Sequence, residues 1–461
     1  MKKNTLVIIS VPFPRIVKHI LSDVVLNPIC KRAEVVIVSP FANNQKFIED
    51  FSNREVSFNL WESPVKSCLF RNFIGATELM RRLGYWRKNR STELKYYLLN
   101  QYTSFGINGA DKYFGPVRRL AYWLLSFIGE HPNAWRVAEK ILGKSWYRLG
   151  NQALLQRAEK YQNVILIQSA NWGLQDRSLA RLCVENKWRS VLLPYTTDQI
   201  FTNGFLINDF DAICVQGDFE YVLARNYHKV EDKNIYRVGS VWFRTLHELK
   251  TDFPVINDKA NTEVRIIYAG VSNVFFPTDS EFKGLDALIK YVSKIEKNVK
   301  IIYRPVVFDA NLKQDIISRY ECIPEVEIDW PDETVFSLSE YNSSVNDSLR
   351  NYARSIVNCD LLVMSYMTSF CMDVAFLSEC GVISNMIDSN NILESRHNEL
   401  FPTNLHPGLC VCKSTKDLIC NVDAFLQSSI YSKKQASEII SLWDYPDSDV
   451  QGELINAIFG S

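Results

Sequence analysis

Eight short apolar runs recur along the chain, none broken by polar alternation, and they limit the fold more than any other feature. They are Thr5–Val11, Ala33–Ser39, Asn163–Gln168, Ser190–Leu193, Ala212–Val215, Val264–Tyr268, Val299–Tyr303 and Leu361–Met364. Continuous apolar runs of this length suit strands that are covered on both faces. Amphipathic helical stretches separate most of them, among them Asp176–Asn186 and Lys283–Lys294. This β-α-β-α order predicts an α/β fold with doubly wound parallel sheets. The runs form two series. The expected organisation is a Rossmann-like domain over residues 1–245, a polar linker over 246–262, a second Rossmann-like domain over 263–440, and a C-terminal helix over 441–461. Residues 66–150 interrupt the first series and read as a helical insert.

Composition narrows the classes. The 461 residues carry 52 Lys+Arg and 52 Asp+Glu, so the net charge is zero, and a globally basic nucleic-acid binder is disfavoured. The 11 cysteines include no C-x-x-C pair, which predicts buried reduced thiols in a reducing compartment and no zinc site. No apolar stretch reaches the roughly 18 residues that span a bilayer. The first run ends in Pro12-Phe13-Pro14, with no small-residue cleavage pattern, so a buried strand is favoured over a signal peptide. A cytoplasmic location is expected.

Charge is unevenly spread. Residues 80–150 hold 13 Lys/Arg against four acids, so this segment is +9 and the rest of the chain is −9. Trp and Tyr are interleaved with these cations: Tyr85, Trp86, Tyr96, Tyr97, Trp123, Trp135, Trp146 and Tyr147. One reading is a helical cap with core aromatics and solvated charges. The other is contact with an anionic lipid surface or a phosphorylated, lipid-linked acceptor, on the inner face of the plasma membrane.

No G-x-G-x-x-G follows the first run and no G-x-x-x-x-G-K-[ST] exists, which disfavours a nicotinamide or flavin site and a P-loop. Other motifs are ordered along the chain. Asp176 lies on a helix after the 163–168 run, followed by Thr197-Asp198, Asp211 to Gly217, and Val238-Gly239-Ser240. VRIIYAGVSN (264–273) is a strand entering a Gly/Ser loop, and IIYRP (301–305) is a strand ending in Arg-Pro, with Val306 where a His is usual. NCDLLVMSYMTSFCMDVAFLSECGVISNM (358–386) is the most informative piece, with Gly381 in place of part of a Gly-Lys-Pro turn. In this order the motifs resemble the GT-B glycosyltransferases that build bacterial surface polysaccharides, a circle that includes the CDP-glycerol glycerophosphotransferases.

The resemblance implies two Rossmann-like domains facing across a cleft. It implies a nucleotide-activated donor held by the second domain at Gly270, Ser272, Asn273, Arg304, Thr368, Ser369 and Asp373. It implies a glycan or lipid-linked acceptor on the first domain, and neither a metal nor an organic cofactor. Helix N-terminal amides and cations would stabilise the leaving diphosphate. A D-x-D sequence, Asp447-Ser448-Asp449, lies in the tail. A base for an acceptor hydroxyl would come from Asp198, Asp176 or His19, with Asp198 ranked slightly above the other two. Each of these residues also has an ordinary role open to it: a solvated carboxylate for Asp176, a structural imidazole for His19, a strand end for Arg304, an N-cap for Thr368-Ser369. Two other functions fit the same architecture, a nucleotide-sugar 2-epimerase and a non-catalytic scaffold of polysaccharide assembly.

Overall fold

A computed structural model describes the chain except residues 1–2, 64–67, 92–93, 95–110, 142–144, 197–198, 253–262, 272–275, 307–309, 331–340, 342–344, 401–408, 428–430, 442, 446–448 and 461. Two parallel sheets organise it. The first contains β1 (Thr5–Ser10), β2 (Glu34–Ser39), β3 (Val56–Leu60), β4 (Asn163–Gln168), β5 (Arg189–Leu192), β6 (Ala212–Val215) and β7 (Ile235–Arg237). Its order is β3-β2-β1-β4-β5-β6-β7. The second contains β8 (Val264–Ala269), β9 (Val299–Arg304), β10 (Val326–Ile328), β11 (Leu361–Ser365), β12 (Gly381–Asn385) and β13 (Cys410–Cys412), in the order β10-β9-β8-β11-β12-β13. Both follow the Rossmann order, whose direction reverses between β1 and β4 and again between β8 and β11. Ligands of open α/β sheets bind beyond the strand ends at such a reversal.

All eight apolar runs are strands. Helices cover both sheet faces, so β1 (TLVIIS) and β2 (EVVIVS) bury every residue after the first. Five further strands carry no continuous apolar run, and four of them are sheet edges: β3, β7, β10 and β13. An edge strand is covered less completely and can be short or polar. The fifth, β12, is internal but buries Ser384 and Asn385, and the Asn385 amide donates to the Tyr268 hydroxyl at 2.8 Å.

The insert is helical, with segments Cys68–Lys88, Asp111–Gly129, Pro132–Ile141 and Ser145–Arg148. The first two touch backbone to backbone: a Cβ on Gly84 would lie 2.0 Å from the Gly129 carbonyl. A helix over Val241–Asp252 occupies the start of the segment expected as a linker. The C-terminal helix Val450–Phe459 packs on the first sheet, where Leu454, Ala457 and Ile458 join a core with Val7, Ile9 and Val35. Arg189 ties it down, donating to the Ala457 and Ile458 carbonyls at 2.9 Å. A second cross-tie runs the other way. Tyr341, from the chain between β10 and β11, is buried among Phe41 and Phe47 of the first half. The Asn44 amide donates to its carbonyl at 3.0 Å and its hydroxyl bonds Asp50.

The glycine contact is testable. Gly84→Val should destabilise the protein by about 1–3 kcal/mol, the usual cost of overpacking. Gly75→Ala lies in the same helix with nothing within 4 Å of the added methyl, and should stabilise by up to ~1 kcal/mol. Urea unfolding of both variants checks the pair.

Candidate functional site

The site forms where the two strand reversals face each other. After β1, Pro12 and Pro14 end the ladder because neither can donate a backbone N–H. Pro14 then opens a 3-10 turn, Pro14–Ile16, that runs into a short helix, Val17–Ile20. This places Arg15, Lys18 and His19 beyond the end of the sheet. Arg15 donates to the Tyr195 hydroxyl at 2.8 Å. The His19 ring lies 4.5 Å from the Trp242 ring and 5.8 Å from Tyr195. The Lys18 ammonium lies 4.8 Å from the Trp242 ring and 5.1 Å from the Tyr352 ring.

The second domain supplies the opposite wall. After β11, Tyr366 adopts φ +63°, a left-handed conformation that costs energy in a bulky residue. The chain then enters the helix Phe370–Ser378. Exposed Ser369 is its N-cap residue and makes no side-chain cap bond, while half-buried Thr368 accepts from the Phe370 N–H at 3.4 Å. Asp373, in the first turn, is 8% exposed. The Trp242 indole donates to its Oδ1 at 2.7 Å and the Tyr352 hydroxyl donates to its Oδ2. Arg304, ending β9, pairs with Asp329 and donates to the Ser355 hydroxyl at 3.1 Å. Its guanidinium lies 5.3 Å from the Tyr352 ring and 5.4 Å from Phe370.

These groups perturb one another. Burial pushes the Asp373 carboxyl up, opposed by Lys18, by the hydrogen bonds from Tyr352 and Trp242, and by Arg304. Burial lowers the Lys18 pKa to about 8; Asp373 opposes the shift, while Arg304 and Arg15 add to it. Burial, then Lys18 and Arg15, hold His19 well below its ordinary value, so its imidazole is neutral, and its Nδ1 has no hydrogen-bond partner. His19, Tyr195, Gln216 and Trp242 line a cavity of about 10 Å³, the space of one water molecule. A cavity of about 270 Å³ opens on the other side of Lys18, lined by Asp23, Asp50, Arg54 and Glu248, with Leu349 from the second half. Half-buried Lys18 therefore stands between the Asp373 carboxylate and open space. A carboxylate flanked by Lys18 and Arg304 in the first turn of a helix is suited to a ligand that carries both hydroxyls and negative charge.

Of the residues expected from sequence, the structure brings His19, Arg304, Thr368, Ser369 and Asp373 together. Gly270 joins the ends of β8 and β9, donating its N–H to the Arg304 carbonyl at 2.9 Å. A Cβ there would lie 2.4 Å from a carboxylate oxygen of buried Glu281, which explains the glycine. Asp198, Ser272 and Asn273 lie outside the described residues. Asp176 is placed apart, fully buried beneath the end of β1. The Ser10 hydroxyl donates to its Oδ1 at 2.6 Å and burial raises its pKa to about 7. Arg15, Lys18, Trp242 and Tyr352 were not anticipated. The signal for the first two was present in the PRIVKH run after β1, where two cations precede the named His19.

No protein-family model and no curated protein sequence matches the chain. Solved structures do. A Listeria monocytogenes protein named as a UDP-N-acetylglucosamine 2-epimerase superposes with TM-score 0.55 and 9% identity, covering 98% of this chain and 94% of its own. S. aureus MnaA, in a co-structure with UDP, gives 0.54 and 9%, over 99% and 95% of the two chains. The UDP-GlcNAc 2-epimerase of Neisseria meningitidis, bound to UDP-GlcNAc, gives 0.51 and 8%, over 98% and 97%. The chain has the GT-B architecture, two Rossmann-like α/β domains that meet across a cleft. At these identities the likeness is one of fold.

Asp176 generates a pH prediction. Its pKa rises from 3.8 unfolded to about 7 folded, so the folded state binds more protons between these values, and stability falls as pH rises through them. Asp176→Asn mimics the protonated form and should remove this fall. Denaturation of both proteins at several pH values between 4 and 8 reads it directly, and parallel curves would disprove it.

Proposed function

We propose that the chain is a nucleotide-sugar-dependent GT-B transferase. It moves a sugar, or a polyol phosphate, from an activated donor to a surface or capsular polysaccharide acceptor. The observation that carries this reading is the meeting of Asp373 and Arg304, from the second domain, with Lys18 and neutral His19, from the first, beyond the ends of both sheets. In this reading the donor diphosphate lies at the start of the Phe370–Ser378 helix, where amides and the Thr368 and Ser369 hydroxyls meet it. Asp373 accepts a hydrogen bond from a ribose or glycerol hydroxyl. Lys18 and Arg304 offset the charge that develops on the leaving diphosphate. In the transfer step the acceptor oxygen bonds to the sugar carbon or donor phosphorus, the bond to the leaving nucleotide breaks, and the acceptor proton passes to a base. His19 is the described candidate beside this group, its ring 4.5 Å from that of Trp242, and a neutral imidazole with an unpartnered nitrogen can take a proton. Asp198 is the other.

Nucleotide binding is the first test, read by thermal shift. Fold-sharing proteins bound to UDP and UDP-GlcNAc make uridine conjugates the first to try, followed by CDP, GDP and CMP conjugates. Ligand at a hundred times its Kd should add roughly 2.7 kcal/mol of stability. Asp373→Asn should weaken a positive conjugate about tenfold or more, the value of a hydrogen bond to a charged group. His19→Gln should keep binding yet lose about 10²–10⁴-fold in transfer. Silence across the panel would favour the scaffold. Interconversion of a nucleotide sugar without any acceptor would favour the epimerase.

Lys18 adds a pH signature. Its ammonium favours an anionic ligand and is lost as pH rises through about 8. Affinity for a nucleoside diphosphate should therefore fall over that range, and Lys18→Met should flatten the dependence. Titrations at pH 7 and pH 9 settle it.

A further inference from the structure

Eleven large hydrophobic side chains are exposed among the described residues, and seven of them belong to the insert. Five lie on one helix, Asp111–Gly129: Leu120, Trp123, Leu124, Phe127 and Ile128, at 40–57% exposure. Their spacing of i, i+3, i+4, i+7, i+8 draws one apolar stripe down the helix. The opposite side of the same helix is spent on packing, where Ser126 and Gly129 are buried and Gly129 meets the Met80 carbonyl. The stripe is therefore what remains after the helix has met its internal partner.

Its surroundings are cationic. The Arg87 guanidinium lies on the Phe127 ring, 3.3 Å from its centroid, and 5.8 Å from Trp123. Lys88 and Lys140 are exposed on adjoining helices, Arg90 is exposed in the turn after the first of them, and Arg118-Arg119 directly precede the stripe in the chain. The segment from 80 to 150 is +9 and the remainder −9. An anionic surface attracts the first and repels the second, so the charge distribution fixes which side of the molecule approaches. No described helix is long and apolar enough to cross a membrane. Large apolar and aromatic side chains beside Arg and Lys are the composition of a helix that lies in the headgroup plane.

We propose that the Asp111–Gly129 helix docks the protein on an anionic bilayer surface, with Leu120, Trp123, Leu124, Phe127 and Ile128 entering the headgroup boundary and the neighbouring cations meeting lipid phosphates. This docking is independent of the reaction the cleft performs. The stripe is apolar along its whole length and bordered mainly by cations, with one acid among them, Glu130, 3.4 Å from the Arg87 guanidinium. A second copy of the same +9 segment would meet it with like charge, which disfavours self-association.

The test is vesicle flotation of the full chain, using phosphatidylcholine vesicles with and without phosphatidylglycerol. The protein should float with the anionic vesicles alone and be released by high salt. Leu124→Glu/Ile128→Glu should lower vesicle affinity about tenfold or more. Both sites are exposed, so the variant should keep the wild-type unfolding midpoint, which is measured alongside. Lys88→Glu/Arg90→Glu, which leaves the stripe intact, should weaken binding and reduce its salt dependence. Absence of flotation with anionic vesicles would overturn the proposal, as would flotation that the stripe variant leaves unchanged. So would a wild-type dimer in light scattering that the stripe variant converts to monomer, because the stripe would then be a contact between copies.

Discussion

A carboxylate held out of water needs donors on both of its oxygens, and at Asp373 those donors come from separate parts of the chain. Trp242 arrives on the helix that leaves the first sheet, and Tyr352 on the helix that leads into β11. Lys18, on the short helix after β1, adds its charge from beside the Trp242 ring. Removing one partner of a buried charge typically costs several kcal/mol, so the group acts as a fixed point around which the two halves are registered. The same requirement explains its surroundings. Arg304 is fastened by Asp329 and Ser355 instead of pairing with Asp373 directly, which leaves the carboxylate neutralised at a distance and still able to accept from a ligand hydroxyl.

The loop that delivers Lys18 and His19 is itself anchored from below. Ser10 ends β1 and donates to Asp176, while the Gln175 amide donates to Ser10 and to the Val38 carbonyl. A short polar network thus holds the strand end from which the Pro-Phe-Pro segment departs. Rigid scaffolding beneath a site preserves its geometry. Asp176 belongs to that scaffolding, and its burial beneath the strand explains both its displaced titration and its distance from the cleft.

The two sheets were legible because parallel strands covered on both faces must be continuously apolar, and every such run in the sequence proved to be a strand. Edge strands escaped because they face fewer neighbours and carry ordinary polar residues. β12 escaped because its polar residues are paired inside the core. The site was half legible. Arg304, Thr368, Ser369 and Asp373 follow strand ends in recognisable strings, so position along the chain exposed them. Trp242 and Tyr352 sit on helices whose apolar faces look like any other. Tyr352 reaches the carboxylate from 21 residues away within the second domain, whereas Trp242 reaches it from the first domain across 131, and no local pattern records a contact of that span.

The Tyr341 cross-tie has a kinetic side. Freeing the segment that carries it must withdraw this ring from between Phe41 and Phe47 and its hydroxyl from Asp50. Exposing a buried ring of this size costs about 2 kcal/mol, which leaves that segment released in roughly one molecule in thirty at any instant. Parting the two halves must also break the Trp242–Asp373 bond, so an open cleft is rarer still. A ligand that enters only the open form would bind with its affinity reduced by that smaller fraction. Its residence time would then follow how often the plug at Tyr341 and the tie at Asp373 let go together.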